Sequence, residues 1–291
     1  MSTYGRDQFG QYLLVNVVVL GALVVVAPMA LGGRRRWWAS AAASVAVGMC
    51  VPPGWAVVFA FPLAVPLVGA AWRARWGPIT EVVSVLWAGA AAGALAASLA
   101  GLQLFGIGEP IVRLTAVHYL YAGVGALVIA GRLRGLGTTP RLAAVAVGAT
   151  AAAPPVVALG FVVRHPLPQV GGAVLMTVGV WAAAIALLAQ ARRWTGTRRT
   201  AAVLAGLATW VPMVLAVLWA ASNYWLDVPA LPVPVMARTH GVVNAVGFVV
   251  AGLWATAPRR SVGRRDSVCV PSPDRTPEPA DGAAGRARVA A

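Results

Sequence analysis

Nine apolar runs, near residues 12–32, 37–51, 54–72, 80–104, 111–131, 142–163, 169–190, 200–222 and 239–257, are separated by short gaps that gather the polar residues. A membrane-crossing helix needs roughly 20 mostly apolar residues, so each run is a candidate crossing. The second run is short, and Pro52-Pro53 breaks it from the third, which leaves eight crossings as the alternative count. Proline at 62, 66, 154 and 155 predicts kinked helices, tolerable where neighbours cover the freed carbonyls. The pattern predicts an all-α fold, a polytopic transmembrane helix bundle over residues 1–257.

The gaps carry a second pattern. The 23 basic residues, all arginine, fall mostly in the gaps after runs one, three, five, seven and nine. These hold Arg34, Arg35 and Arg36, then Arg73 and Arg75, then Arg132, Arg134 and Arg141, then Arg192, Arg193, Arg198 and Arg199, and finally Arg259 and Arg260. The intervening gaps hold only Arg113, Arg164 and Arg238. Arginine-rich loops stay in the cytoplasm, so the N-terminus is expected outside and the C-terminus inside. Removing one crossing would scramble the alternation, which favours nine over eight.

Composition agrees. A chain that is 59% hydrophobic and 11% charged cannot bury so much apolar surface in a water-soluble core. Its formal charge of +15 lies in loops and a tail rather than along one folded face, so the expected partner is anionic lipid head groups at the cytoplasmic arginines, not nucleic acid. The first run leads into a basic stop and is expected to stay as an anchor, giving a multi-pass protein of the cell membrane. From Pro258 the chain turns to Arg, Ser, Pro, Asp, Gly and Ala, and 258–291 is expected to be a disordered cytoplasmic tail. Cys50 and Cys269 lie in unlike surroundings, which excludes a thiolate metal cluster.

Of eight acidic residues, only Glu81, Glu109 and Asp227 lie outside the leader and the tail. Glu81 opens a helix on the cytoplasmic side, where a carboxylate suits the positive helix end. Glu109 and Asp227 precede the two runs that carry His118 and His240, and Arg113 and Arg238 accompany them. Ionisable groups facing lipid are costly, so these side chains are expected to converge on a recess open to the outer leaflet. His118 with Tyr121, and His240 with Asn244, are spaced to share helix faces. That is the makeup of an acid/base or proton-relay site; hydrogen bonding between helices is the plainer alternative. His165, in Arg164-His165-Pro166, reads as a loop residue. No pair of candidate ligands has close metal-binding spacing, and no cofactor motif is present.

Both histidines are followed by glycine seven residues on, at Gly125 and Gly247, which suggests parallel repeats of four helices after an extra first one. Tryptophans at run ends, Trp37, Trp38, Trp72, Trp76, Trp194, Trp225 and Trp254, suggest an interfacial belt. Trp181, Trp210 and Trp219 lie deeper.

Glu109-Pro110, Leu114-Thr115-Ala116-Val117-His118-Tyr119-Leu120-Tyr121-Ala122-Gly123, and then Arg238-Thr239-His240-Gly241, Asn244-Ala245 and Gly247-Phe248 resemble the signature of the YndJ family of bacterial membrane proteins. Where that signature carries a second histidine, this chain has Leu120. The family is labelled transporter-like or of unknown role, so the resemblance implies the architecture rather than an activity.

Two activities fit the polar segments. The first is a cofactor-independent membrane cyclase or isomerase of a lipophilic, terpenoid- or polyketide-like molecule. In it Glu109 or Asp227 gives a proton, His118 or His240 takes it back, and Arg113, Tyr119, Tyr121, Trp225, Arg238 and Asn244 contact the substrate. The second is a transporter, with the carboxylates as carriers of a coupling proton, and a membrane scaffold lacking turnover is the third reading. Substrate and oligomeric state are not legible.

Overall fold

The computed structural model describes residues 4–225, 227–228 and 231–258, with side chains from Leu13 onward. The expected tail over 258–291 lies outside the described residues beyond Pro258. Contacts close one compact unit that ends at Ala257.

Among the described residues are nine helices in series and no strand. They are α1 (Leu13–Leu31, the apolar part of a helix that starts at Tyr4), α2 (Arg35–Gly48), α3 (Trp55–Ala74), α4 (Ile79–Ala100), α5 (Ile111–Leu136), α6 (Pro140–Val163), α7 (Pro166–Ala191), α8 (Gly196–Ser222) and α9 (Val233–Thr256). All but α2 are long and apolar enough to cross a membrane. The 14 residues of α2 rise only about 21 Å, short of a hydrocarbon core of roughly 30 Å.

Even so, α2 runs from one end of the bundle to the other. Its start adjoins Leu31, whose carbonyl accepts from Arg73 Nη2 at 3.1 Å, so the end of α1 and the end of α3 share a level. Ser44 Oγ donates to Phe59 O at 2.9 Å, which makes α2 and α3 an antiparallel hairpin. The turn that joins them is held at the opposite level, where Gly54 N donates to Leu99 O at 3.2 Å near the end of α4. The turn residues 49–54 cover the rest of the distance, and α3 opens as a 3-10 segment, Trp55–Leu63, with a longer rise per residue.

Hydrogen bonds also collect the arginine-rich gaps at one end. Beyond the Arg73–Leu31 contact, Arg132 Nη2 donates to Met29 O at 2.6 Å and Arg132 Nη1 to Leu253 O at 3.4 Å. Thr138 Oγ1 donates to Gln190 Oε1, and Arg198 Nε donates to Ala255 O at 2.7 Å. Ends of α1, α3, α5, α7 and α9 therefore lie on one level, as alternation of the arginines requires.

Three helices carry π segments: Ala22–Val26 in α1, Tyr119–Gly125 in α5 and Ala237–Val250 in α9. In α1 the segment precedes Pro28, whose ring lacks an N–H and crowds the carbonyl four residues back. The three segments pack on one another. Small residues make this approach possible: an added Cβ on Gly125 would meet Val249, and one on Gly252 would come 2.7 Å from Ile129 Cδ1. Helices α5 and α9 thus run parallel and in register, His118 beside His240, Gly125 beside Val249 and Ile129 beside Gly252.

Helix α8 is interrupted at Thr209, between Gly196–Ala208 and Trp210–Ser222. Pro212 cannot donate to the Ala208 carbonyl, which explains the break. Trp38 and Trp194, expected in the interfacial belt, are instead buried at 1% and 8% exposure. Trp38 turns inward because its Nε1 caps the Gly32 carbonyl at 2.9 Å, and Trp194 turns inward under the Arg198 guanidinium, 3.9 Å from its ring. Glu81 occupies the first turn of α4.

Candidate functional site

The site is centred where α5, α8 and α9 meet at the end opposite the arginine-rich level. His118 is the eighth residue of α5 and His240 the eighth of α9, so each ring lies roughly 10 Å along its helix from the rim. The two imidazoles stack with centroids 6.5 Å apart and planes inclined by 22°.

Backbone carbonyls fix both rings. His118 Nδ1 lies 2.8 Å from Leu114 O, and His240 Nδ1 lies 2.8 Å from Pro212 O. A carbonyl can only accept, so each Nδ1 carries the hydrogen and donates it. In the neutral ring Nε2 then holds the lone pair. Pro212 matters twice, since the break it imposes in α8 brings its own carbonyl within reach of α9.

Asn244 stands one π turn beyond His240, with Nδ2 3.2 Å from His240 Nδ1 and 3.5 Å from Met213 Sδ. In a segment bonded i→i+5, residues four or five apart stack, so the pair shares a face. The same rule separates His118 from Tyr121. Three residues do not complete a turn of the π segment that starts at Tyr119, and Tyr121 Oη instead donates to Val18 O of α1 at 3.1 Å. Tyr119 leans on Trp87 of α4, ring centroids 5.5 Å apart.

The arginines and carboxylates divide. Arg113 donates from Nε to Ser98 Oγ and from Nη1 to Asn16 Oδ1, both at 2.9 Å, tying α5 to α4 and α1. Glu109, Asp227, Trp225 and Arg238 are exposed at the rim. Among the described residues no hydrogen bond or ion pair joins either carboxylate to a histidine. His165 caps α7, its Nδ1 accepting from Leu167 N at 3.3 Å. Among the described residues no three histidine, cysteine or acidic side chains converge as a metal site.

Leu120, which stands where the family signature has a second histidine, is 4% exposed and packs in the apolar core. Sequence reasoning missed Asn16, Ser98 and Pro212. Asn16 and Ser98 are isolated polar residues inside apolar runs, a signal that could have found them. The Pro212 carbonyl, a backbone acceptor, leaves no trace in a sequence.

Four buried side-chain atoms, Trp87 Nε1, Trp181 Nε1, Thr209 Oγ1 and Asn244 Oδ1, have no hydrogen-bond partner. Two belong to the α8–α9 contact beside His240, and Trp181 stacks on Trp210 of α8 at 5.1 Å. This part of the bundle holds polar capacity that helix packing does not use.

Fold and site define a multi-pass, all-helical membrane protein in which two parallel helices carry a stacked histidine pair, His118 exposed and His240 half-buried. The chain belongs to the YndJ-like family: the model for "YndJ-like protein" matches residues 16–248, from the asparagine that receives Arg113 to the phenylalanine that closes the second histidine segment. No curated protein and no solved structure matches the chain.

Proposed function

We propose that the protein is an intramembrane acid/base catalyst, a cofactor-independent cyclase or isomerase of a lipophilic terpenoid- or polyketide-like substrate. The observation that carries this reading is the paired orientation of His118 and His240, each Nδ1 donating to a carbonyl at 2.8 Å. Anchoring that nitrogen frees Nε2 for proton transfer, and a fixed tautomer is what a general base requires. One histidine enters the cycle neutral and removes a proton from the substrate. The imidazolium so formed returns the proton at a second atom of the substrate, which is rearranged without net gain or loss.

The exposed carboxylates of Glu109 and Asp227 exchange protons with water at the rim and restore the histidines. Asn244 steadies His240, while Tyr119, Tyr121, Trp225, Arg113 and Arg238 shape the approach. We take the arginine-rich end as cytoplasmic, which opens the histidines toward the outer leaflet of the cell membrane and toward membrane-dissolved molecules. A proton-coupled transporter is the second reading. It is favoured by the parallel α5 and α9 and the interrupted α8, features shared with alternating-access bundles.

Detergent separates the two. Purified protein with a candidate isoprenoid or polyketide in D2O should place solvent deuterium in the recovered substrate with no gradient present, as read by mass spectrometry. Activity confined to sealed vesicles contradicts the catalytic reading and favours transport; inactivity in both leaves the scaffold.

A further inference from the structure

A second feature lies at the arginine-rich end, away from the histidines. Two adjoining cavities, of about 390 Å³ and 280 Å³, run between α2 and α3 and share Trp37 and Val65 in their walls. Arg36 lines the first, and Arg34 and Arg73 line the second. Below the arginines the walls are apolar, formed by Ala41, Pro62 and Pro66. The α3 helix that walls these cavities also carries exposed Phe61, Val65 and Val68 on one face, at 70%, 48% and 67% exposure.

The walls of this groove are built rather than accidental. Gly33 has φ +92°, a left-handed conformation that favours glycine, and an added Cβ there would come 3.1 Å from Arg73 Nη2. Trp38 Nε1 and Arg73 Nη2 hold the carbonyls of Gly32 and Leu31 at 2.9 Å and 3.1 Å. Gly69 leaves bare helix surface along which Arg73 lies, its Nη1 3.4 Å from the position of an added Cβ. Three arginines thus line the two adjoining cavities, and the first turn of α2 holds no acidic residue to balance them. The positive end of the α2 dipole adds to the same charge.

We infer that this groove binds one anionic phospholipid, its phosphate among Arg34, Arg36 and Arg73 and an acyl chain along Val65 and Pro62. Guanidinium forks match phosphate oxygens, and Trp37 suits the level where head group meets chain. Arginines continuous with an apolar groove, beside an exposed apolar face of α3, fit a lipid with its head group and chain rather than a soluble phosphate, which would leave the apolar walls unmatched. The inference does not depend on the histidine chemistry.

Native mass spectrometry of the full chain in neutral detergent tests it, with phosphatidylglycerol, phosphatidylcholine and inorganic phosphate as probes. Wild type should retain one phosphatidylglycerol per chain under conditions that strip phosphatidylcholine. R34Q/R36Q, which leaves the Arg73 contact to Leu31 intact, should weaken retention about 30-fold, the order expected for two arginines at a membrane surface. G69L should weaken it with every charge in place, by filling the slot. R192Q/R193Q, an equal loss of charge elsewhere at the same end, should stay within about twofold of wild type. Equal retention of the two lipids, an equal loss in R192Q/R193Q, or full displacement by inorganic phosphate overturns the inference.

Discussion

Arg113 Nη1 donates to Asn16 Oδ1 at 2.9 Å, joining the start of α5 to α1 across the bundle. An arginine that the sequence places at the site thus also fastens the helix that carries His118. Hydrogen bonds to a charged group contribute about 1.5–3 kcal/mol in water and less between membrane helices. R113L and N16L should each lower the thermal unfolding midpoint in detergent, at a cost of about 1–2 kcal/mol. The double variant should be little worse than R113L alone, which already removes the shared contact together with the Arg113 bond to Ser98. Simple additivity would show that the side chains act separately.

Asn244 touches His240 and not the reacting atoms, so it is a positioning residue. His240 Nδ1 already donates to Pro212 O, so the Asn244 amide, a donor at 3.2 Å, holds the ring by packing and not by a hydrogen bond to that nitrogen. Loosening the ring should cost about 1.4 kcal/mol, or about tenfold in rate. N244A should reduce deuterium exchange by that order with the unfolding midpoint close to wild type. N244Q, which restores an amide, should recover part of the loss. Equal rates for wild type and N244A contradict the positioning role.

Cys50 distinguishes nine crossings from eight. It is exposed in the turn after α2, at the level of Leu99 and opposite the arginines. In intact cells a membrane-impermeant maleimide should label a C269S variant through Cys50. A C50S variant, which keeps Cys269 in the tail, should be labelled only after permeabilisation. Labelling of Cys50 only after permeabilisation would put the turn on the arginine side and remove one crossing.

Close packing of α5 on α9 sets the register of the histidines. G125L drives a side chain into Val249, and overpacking of this kind costs about 1–3 kcal/mol. It should lower both the unfolding midpoint and the exchange rate. G89L, at a position where an added Cβ meets nothing within 4 Å, should leave both unchanged. A stable, fully active G125L would mean that the register does not matter.

Much of the bundle was legible because hydropathy and arginine spacing are one-dimensional signals. The ends of the long helices follow the apolar runs, and even α2, with 14 residues, keeps its place because reversing it would break the arginine alternation. What was not legible came from backbone geometry. The π segments change which residues share a face, so His240 keeps Asn244 while Tyr121 turns to Val18. Spacing counted on a regular helix could not reveal this. The approach of the two histidines was foreshadowed by the matching glycines, Gly125 and Gly247, although Gly247 packs on Ala208 of α8 and Gly252 makes the second close contact between α5 and α9. Trp38 shows the same limit, since a run end looks interfacial until a neighbouring carbonyl draws the ring inward.

The account stands on His118 and His240 acting as one unit, and a double-mutant cycle on solvent-deuterium exchange in detergent tests that most directly. H118Q and H240Q should each reduce the rate by about 100-fold or more, and the double variant should be no slower than the worse single one. Losses that multiply, or a single variant that keeps wild-type exchange, would contradict the pairing.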